Sequence, residues 1–493
     1  MYTQRRLVSA YSAFTLALAC AVAASILAGK TFAAEKTLRA GAFAIDITPT
    51  KLPVPISGGI LPRFTSNVND PLHARCLVLD DGQAQIVIAI VDSLIVSRQQ
   101  ADKTKELASQ ATGIPTNRML IAATHTHSAP AVMAAHATDP DEEYAEYMVA
   151  QIAKGIAHAQ KNLRPARIGW AMGKDDKNVF CRRYLMKPGT AATNPFSGTV
   201  NDRAQMNPGH NNPNKIKRTG PADTDVAVLS VQALDGKPIA LLSNYSTHYV
   251  GAPPISADYF AVFCEKIAEK IGAKNVSPAF VGMLSNGTSG DANCLDFDSP
   301  ERRKFDRFSV AEDVASAAFE AYQTIEYYDW VPLVMDERVL TLGVRMPSEE
   351  EVAKAKAVVA ELPDGLPRNT TESYARETVL LSQMPPTREM KLQAVRIGEL
   401  GITALPYEAF GSTGLEIKKR SQLKPAFNID LANGYFGYLP PPDQHKLGGY
   451  TTWRARTSML EVEAEPKVVN TLLELLENVA NQRADEKLRA SMD

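Results

Sequence analysis

Two histidines stand two positions apart, directly after a short apolar run. The run is Met119–Ala123, and the sequence Thr124-His125-Thr126-His127-Ser128 follows it. In an extended chain, residues i and i+2 point to the same side, so both imidazoles would project together from the end of a buried strand. This pattern favours a metal or catalytic site, and a pair of hydrogen-bonded loop histidines is the simpler alternative.

Other residues with useful chemistry also follow apolar runs. His248 ends the stretch 241–248, and the loop 285–291, rich in glycine and serine, follows the run 279–284. Glu408 lies between a predicted strand and a predicted helix that begins near Ala409. Imidazole nitrogens and carboxylate oxygens bind metals, and the amides of such a loop can bind an oxyanion. The simpler alternatives are a polar core residue for His248, a plain turn for the loop and a helix-capping charge for Glu408.

The elements that must position these groups alternate between strands and helices. Apolar runs on either side of Asp81-Gly82 and Asp235-Gly236 predict hairpins. A periodicity of 3.6 residues predicts helices at 98–111, 142–160 and 259–271. Hairpins among helices favour an α/β fold with mixed β-sheets flanked by helices. Residues 186–222 are predicted to form a long functional loop, with a disordered insertion as the alternative.

The composition and the N-terminal segment limit the class of protein. The 493 residues are 45% hydrophobic and carry a formal net charge of −2, which argues against nucleic-acid binding. Residues 1–33 combine two arginines, a long apolar run and small residues, as in an export signal. We therefore predict a secreted or periplasmic chain whose mature part is 34–493, with an uncleaved membrane anchor as the alternative. The four cysteines beyond the signal are predicted to be buried free thiols.

Together, these motifs resemble the catalytic domain of the neutral/alkaline, non-lysosomal ceramidases. The resemblance covers about residues 38–460 and begins at Gly41-Ala-Phe-Ala-Ile-Asp-Ile-Thr-Pro49. The Thr-His-Thr-His-Ser element at His125 is its most specific part, and the ordered series of motifs is stronger than any one of them. The resemblance implies the mixed-sheet fold of that domain and a zinc-dependent activity.

The resemblance also implies which residues bind the zinc ion. Two histidines, a glutamate and a tyrosine hold the metal in that family, and the matching residues are His125, His248, Glu408 and Tyr438. Tyr438 matches as the second tyrosine of Asn433-Gly-Tyr-Phe-Gly-Tyr438. The donor set is suited to Zn²⁺, which would activate water for attack on an amide carbonyl.

Further residues are implied to act on the substrate. His127, Tyr450 and Arg182 match positions that stabilise the oxyanion or protonate the leaving amine, with Arg183 as an alternative to Arg182. The family's active-site serine falls at Gly287 here, so Ser289 or Ser285 is predicted to replace it. Only 55 residues follow Tyr438, and we therefore expect the family's C-terminal β-sandwich to be missing.

These implications predict an exported zinc amidohydrolase that cleaves the N-acyl bond of ceramide or a related N-acyl lipid. Its partner would be that small or lipid-like amide, with peripheral membrane contact left open and no nucleic acid. Two alternatives are a non-catalytic metal- or ligand-binding protein on the same scaffold and a zinc hydrolase with a non-lipid substrate. The missing serine motivates the first alternative.

Overall fold

The computed structural model describes residues 36–490. The predicted export signal, 1–33, lies outside the described residues. Within the described part, no helix combines the length and apolar character needed to cross a membrane. The prediction of free thiols is confirmed, because none of the four described cysteines forms a disulfide and Cys76, Cys181 and Cys294 are buried.

Strands and helices alternate along the chain, as the sequence predicts. The strands are β1 (Arg39–Asp46), β2 (Val54–Pro55), β3 (Phe64–Thr65), β4 (His73–Asp80), β5 (Gln85–Val91), β6 (Met119–Ala123), β7 (Arg164–Lys174), β8 (Phe180–Cys181), β9 (Arg183–Met186), β10 (Ala204–Met206), β11 (Lys215–Arg218), β12 (Asp225–Ala233), β13 (Pro238–Tyr245), β14 (Val281–Asn286), β15 (Ala292–Asn293), β16 (Leu333–Gly343), β17 (Thr387–Ile397), β18 (Leu400–Ala404), β19 (Glu408–Ala409), β20 (Ala426–Ile429) and β21 (Tyr438–Leu439). The helices are α1 (Arg98–Thr112), α2 (Glu142–Lys161), α3 (Asp258–Lys270), α4 (Arg307–Tyr322), α5 (Glu349–Ala360), α6 (Thr370–Ser382), α7 (Gly411–Arg420), α8 (Pro442–His445) and α9 (Ala464–Ala490).

Two mixed sheets lie face to face between helices. The larger has eight strands in the order β14-β13-β12-β7-β1-β4-β5-β6, and the smaller has four in the order β16-β17-β18-β20. One apolar cluster joins them, with Leu79 and Ile88 from the larger sheet and Val395 and Ile402 from the smaller. Helices α1 to α4 cover the outer face of the larger sheet, and α7 and α9 cover the smaller. Burial on both faces explains why the central strands are almost wholly apolar.

The same structural unit occurs three times in these sheets. In each unit, two antiparallel strands form a hairpin, a helix follows, and a third strand pairs parallel with the second. The units are β4-β5-α1-β6, β12-β13-α3-β14 and β17-β18-α7-β20. A parallel pair requires such a crossover, since a tight turn can only connect antiparallel strands. The histidine pair follows β6, the third strand of its unit, whereas His248 and Glu408 follow β13 and β18, the second strands of theirs. Each of the three units therefore supplies predicted site residues after the carboxyl end of one strand.

One local prediction was wrong, and another was correct but incomplete. Residues 186–222 are not one long loop, because β10 and β11 within them pair with β9 to form a three-stranded sheet. As predicted, Glu408 lies between a strand, β18, and a helix, α7. It lies in the two-residue strand β19, which pairs parallel with β21, and α7 starts three residues later after Phe410. The pairing brings Glu408 directly beside Tyr438.

Candidate metal centre

His125 and His127 lie close together, although not for the reason that the sequence suggests. The backbone of His125 has a φ of 75°, in the left-handed region, where a residue with a side chain costs on the order of 1 kcal/mol. The stretch is therefore not extended. The two rings are nevertheless 4.8 Å apart and nearly perpendicular, and His248 lies 4.3 Å from His125 between ring centroids.

Backbone carbonyls fix the orientation of all three imidazoles. In each histidine, Nδ1 lies within hydrogen-bond distance of a carbonyl oxygen: Leu94 for His125 (2.8 Å), Gly58 for His127 (3.1 Å) and Ser289 for His248 (3.1 Å). A carbonyl can only accept, so each Nδ1 carries the hydrogen and each Nε2 is left as an acceptor. This is the arrangement by which proteins orient histidines that bind metals through Nε2.

The free nitrogens of His125 and His248 face each other and a carboxylate. Their Nε2 atoms are 3.0 Å apart, and Oε2 of Glu408 lies 3.5 Å from the first and 3.6 Å from the second. Oε2 has no hydrogen-bond partner, and Nε2 of His127 has none either. Acceptors that converge in this way repel one another unless a cation lies among them. Nη2 of Arg182 lies 3.3 Å from Nε2 of His248, but Oε2 of Glu408 is still left without a partner. The donor set therefore fits a divalent metal, and the histidines His125, His127 and His248 could bind one.

The other oxygen of Glu408 is held firmly. The hydroxyl of Tyr435 donates to Oε1 at 2.7 Å. Burial raises the pKa of Glu408, but the nearby imidazole of His125 and hydrogen bonds from Tyr435 and Tyr438 outweigh it, so the pKa falls below its ordinary value. The carboxylate is therefore ionised near neutral pH, as a metal ligand must be.

The two remaining tyrosines form a pair next to the carboxylate. The rings of Tyr438 and Tyr450 are 5.6 Å apart and close to perpendicular, and the two side chains are hydrogen bonded. Burial, followed by the charge of Glu408, raises the pKa of both phenols. Tyr438 thus lies beside the convergent acceptors, and Tyr450 lies next to Tyr438.

The structure separates the two candidate arginines. Nη2 of Arg182 donates to the Gly290 carbonyl at 3.1 Å and lies 3.3 Å from Nε2 of His248. Arg183 instead donates to Thr451 and Gln444, away from the histidines. Burial, followed by the charge of Arg182, lowers the pKa of His248 well below its ordinary value.

The loop 285–291 contains no direct replacement for a serine at position 287. A side chain there would place its Cβ 2.3 Å from Oγ of Ser246, so only glycine fits. Ser285 donates to Ser243 within the sheet. Oγ of Ser289 lies 3.5 Å from Nδ1 of His248, on the side of the ring opposite the free nitrogen.

Three contributors to the site are invisible in the sequence pattern alone. Tyr435 is only the first tyrosine of the Asn433–Tyr438 motif in the sequence, yet its hydroxyl donates to Glu408. Tyr249 stacks on His127 with ring centroids 3.8 Å apart. Gly58 holds His127 through its carbonyl, and a Cβ there would lie 2.4 Å from Nδ1 of that ring. Adjacency to His248 could have drawn attention to Tyr249, but nothing near Gly58 points to its role.

Comparisons with known proteins give a likeness of structure only. No protein-family model and no curated protein matches the sequence. A crystal structure of neutral ceramidase from Pseudomonas aeruginosa superposes on 90% of this chain and 74% of its own, with a TM-score of 0.67 and 16% identity. A structure described as ceramidase complexed with C2 covers 91% of this chain and 76% of its own, with a TM-score of 0.66 and 15% identity. The predicted fold, that of the neutral ceramidase catalytic domain, is confirmed.

Proposed function

We propose that this chain is a zinc-dependent hydrolase of the ceramidase type, which cleaves the N-acyl bond of an amide. The observation that carries the proposal is the convergence of His125 Nε2, His248 Nε2 and Glu408 Oε2 within 3.6 Å of one another, with Oε2 left without a hydrogen-bond partner. The structural likeness to two ceramidases supports the choice of an amide bond. We also propose that 34–493 is the mature hydrolase domain and that 1–33 directs its export.

The proposed ligands are His125, His248, Glu408 and Tyr438. Nitrogen and oxygen donors in this number suit Zn²⁺. Bound there, the ion would supply Lewis acidity that makes water nucleophilic near neutral pH. The carbonyls of Leu94 and Ser289 hold the two imidazoles, and Tyr435 holds the carboxylate, so the ligands need little rearrangement.

The neighbouring side chains would handle charge and protons. His127 has a free acceptor at Nε2, which can take a proton from the attacking water and return it to the leaving nitrogen. The guanidinium of Arg182, 3.3 Å from Nε2 of His248, would stabilise the negative charge that develops on the carbonyl oxygen. Tyr450 can donate its hydroxyl hydrogen to the same oxygen. Ser289 would act as a positioning residue through its carbonyl rather than by touching the substrate.

The first test is to count metal in the purified mature chain by elemental mass spectrometry, together with the His125→Ala, His248→Ala and His127→Ala variants. We expect about one zinc per chain, lost in the first two variants and kept in the third, which should be inactive towards an acyl-amide panel. Loss of metal in His127→Ala would mean that His127 is itself a ligand, and the proposed ligand set would then have to include all three histidines. A folded wild type without metal would overturn the proposal.

A further inference from the structure

A cavity of about 640 Å³ opens beside the candidate metal centre. Its inner wall includes Arg182 and Tyr249, which contact His248 and His127 respectively. Its outer wall includes Arg302, Arg303 and Lys304. The cavity therefore extends from a cluster of exposed cations to two residues that contact the histidines of the candidate metal centre.

The charge of this cavity is strongly one-sided. Among the described residues that line it, four side chains are cationic and none is a carboxylate. Of the nearby acids, Asp296 and Asp298 pair with Arg218 and Asp306 caps helix α4, whereas the exposed Glu301 precedes Arg302 but does not line the cavity. A cleft lined by charge of one sign focuses the field and attracts ligands of the opposite sign.

The outer cations differ in how they are used. Arg303 donates to Asn178 and its guanidinium lies 5.1 Å from the ring centre of Phe305. Arg302 and Lys304 are exposed and make no hydrogen bond or ion pair with other described residues. Two exposed cations that line the same cavity without a partner are available for an external anion.

The inner end of the cavity contains an independent sign of a ligand. Arg182 is only 5% exposed, and its Nε has no hydrogen-bond partner. A buried guanidinium with an unmet donor is costly, which indicates that a polar group enters from the cavity when the site is in use. Positive charge thus extends from the mouth to within 3.3 Å of the ring of His248.

We infer that the substrate is an N-acyl amide that also carries an anionic group, a carboxylate or a sulfonate, bound by Arg302 and Lys304. The inference rests on the proposed hydrolase function and defines its substrate class. In the reaction, water adds its oxygen to the carbonyl carbon and the C–N bond breaks. The nitrogen takes the proton, which gives a carboxylic acid and an amine. An uncharged lipid amide would gain nothing from the cations at the mouth.

Three matched probes test the charge preference with the zinc-loaded enzyme. They are N-octanoylglycine (carboxylate), N-octanoyltaurine (sulfonate) and N-octanoylethanolamine (uncharged). We expect kcat/KM for at least one anionic probe to exceed that of the uncharged probe by about tenfold, and the advantage to shrink as salt is raised. The two anionic probes identify which acid group fits. Equal values for all three would overturn the inference and leave the hydrolase intact.

Variants at the mouth test the residues themselves. In Arg302→Ala/Lys304→Ala, KM for the preferred anionic probe should rise about tenfold with kcat almost unchanged. In Arg302→Glu/Lys304→Glu, the uncharged probe should become the better substrate. The matched control is Lys356→Ala/Lys419→Ala, which removes two exposed lysines elsewhere and should change nothing. A probe ratio that is the same in all variants would overturn the inference.

Binding to the metal-free protein separates the two proposals. Calorimetric titration of N-octanoylglycine and N-octanoyltaurine into chelator-treated protein should give binding that weakens about tenfold in Arg302→Ala/Lys304→Ala. Such binding without turnover of any probe would overturn the hydrolase and keep the anion site. Turnover that does not depend on Arg302 and Lys304 would overturn the anion site and keep the hydrolase.

Discussion

Glu408 and Glu377 are both buried glutamates, but their oxygens are treated in opposite ways. Glu377 is fully buried, and both of its oxygens accept hydrogen bonds from Arg456, through the backbone N–H and the guanidinium. Glu408 has one oxygen bound by Tyr435 and one that faces two imidazole nitrogens without a hydrogen between them. The two glutamate side chains are thus buried to nearly the same extent, but they differ in how many of their oxygens have hydrogen-bond partners.

The difference separates a carboxylate that holds the fold together from one that is ready to bind. A buried charge is tolerated when its hydrogen-bonding capacity is met, as at Glu377. A buried carboxylate oxygen without a hydrogen-bond partner destabilises the fold, and a cation bound to that oxygen would offset the destabilisation. We therefore expect substitution of Glu408 to affect mainly the metal content and substitution of Glu377 to affect mainly the stability.

The largest effect is expected from Glu408→Gln. The amide has the same size, loses the charge and can donate a hydrogen to Nε2 of His125 or His248, so the chain should still fold. Metal should be lost and amide hydrolysis should fall by about a thousandfold or more. Elemental analysis and initial rates check this, and a Glu408→Gln protein with full metal content would remove the contrast with Glu377.

The next effect is expected from Glu377→Ala. The guanidinium of Arg456 is left buried without its partner, so the free energy of unfolding should drop by about 3–5 kcal/mol. Metal content should stay near that of the wild type, because Glu377 does not face the histidine nitrogens. Urea unfolding and metal analysis on the same sample measure both. Metal loss with unchanged stability would show that the two carboxylates do not differ in role.

Lys105 provides a third case for this comparison, because a buried polar group without a hydrogen bond need not be a binding site. It is 1% exposed, its Nζ lacks a hydrogen bond, and burial lowers its pKa to about 8 although Glu337 raises it. The unfolded chain, with a pKa near 10.5, binds more protons between these values, so wild-type stability should rise with pH from about 8 to 10.5.

Lys105→Met removes this dependence and provides the test. The variant should be more stable than the wild type below pH 8, by at most about 3 kcal/mol, and the gap should close by pH 10.5. Denaturant unfolding at a series of pH values measures it. A gap that does not change with pH would mean that the ammonium is not the source of the cost.

The smallest effect is expected from Tyr435→Phe. Loss of the hydrogen bond to Oε1 should weaken metal binding about tenfold, as is usual for groups that orient a ligand. Tyr407→Phe is the matched control, since the buried hydroxyl of Tyr407 has no partner and its removal should not affect the metal. Competition with a metal indicator measures both affinities. Equal shifts in the two variants would point to general loosening of the fold.

Sequence patterns predicted the strand ends and therefore the approximate place of His125, His248 and Glu408. Apolar runs are long enough to be recognised, and each of these residues follows the carboxyl end of such a run. The pairing of β19 with β21 was missed because two-residue strands have no periodicity. The carbonyls of Leu94, Gly58 and Ser289 were missed because any residue supplies a carbonyl, and only tertiary packing decides which one meets an imidazole.

The charged cavity marks a second limit of sequence-based reasoning. Arg302, Arg303 and Lys304 are consecutive, but a short basic run is most often a solvated surface. Its relation to Arg182, more than a hundred residues earlier, exists only in the folded chain. The prediction of a long loop at 186–222 failed similarly, since the strands β10 and β11 depend on β9 for their partner.

The repetition of the hairpin, helix and parallel strand has a consequence for heat resistance. An ion held by His125, His248 and Glu408 would fasten three units that no disulfide joins among the described residues, much as a covalent cross-link restricts an unfolded chain. Ligands that bind only the native state raise Tm with their free concentration. Thermal melts at graded free zinc should therefore show a steady rise, and the His248→Ala protein should melt at one temperature throughout.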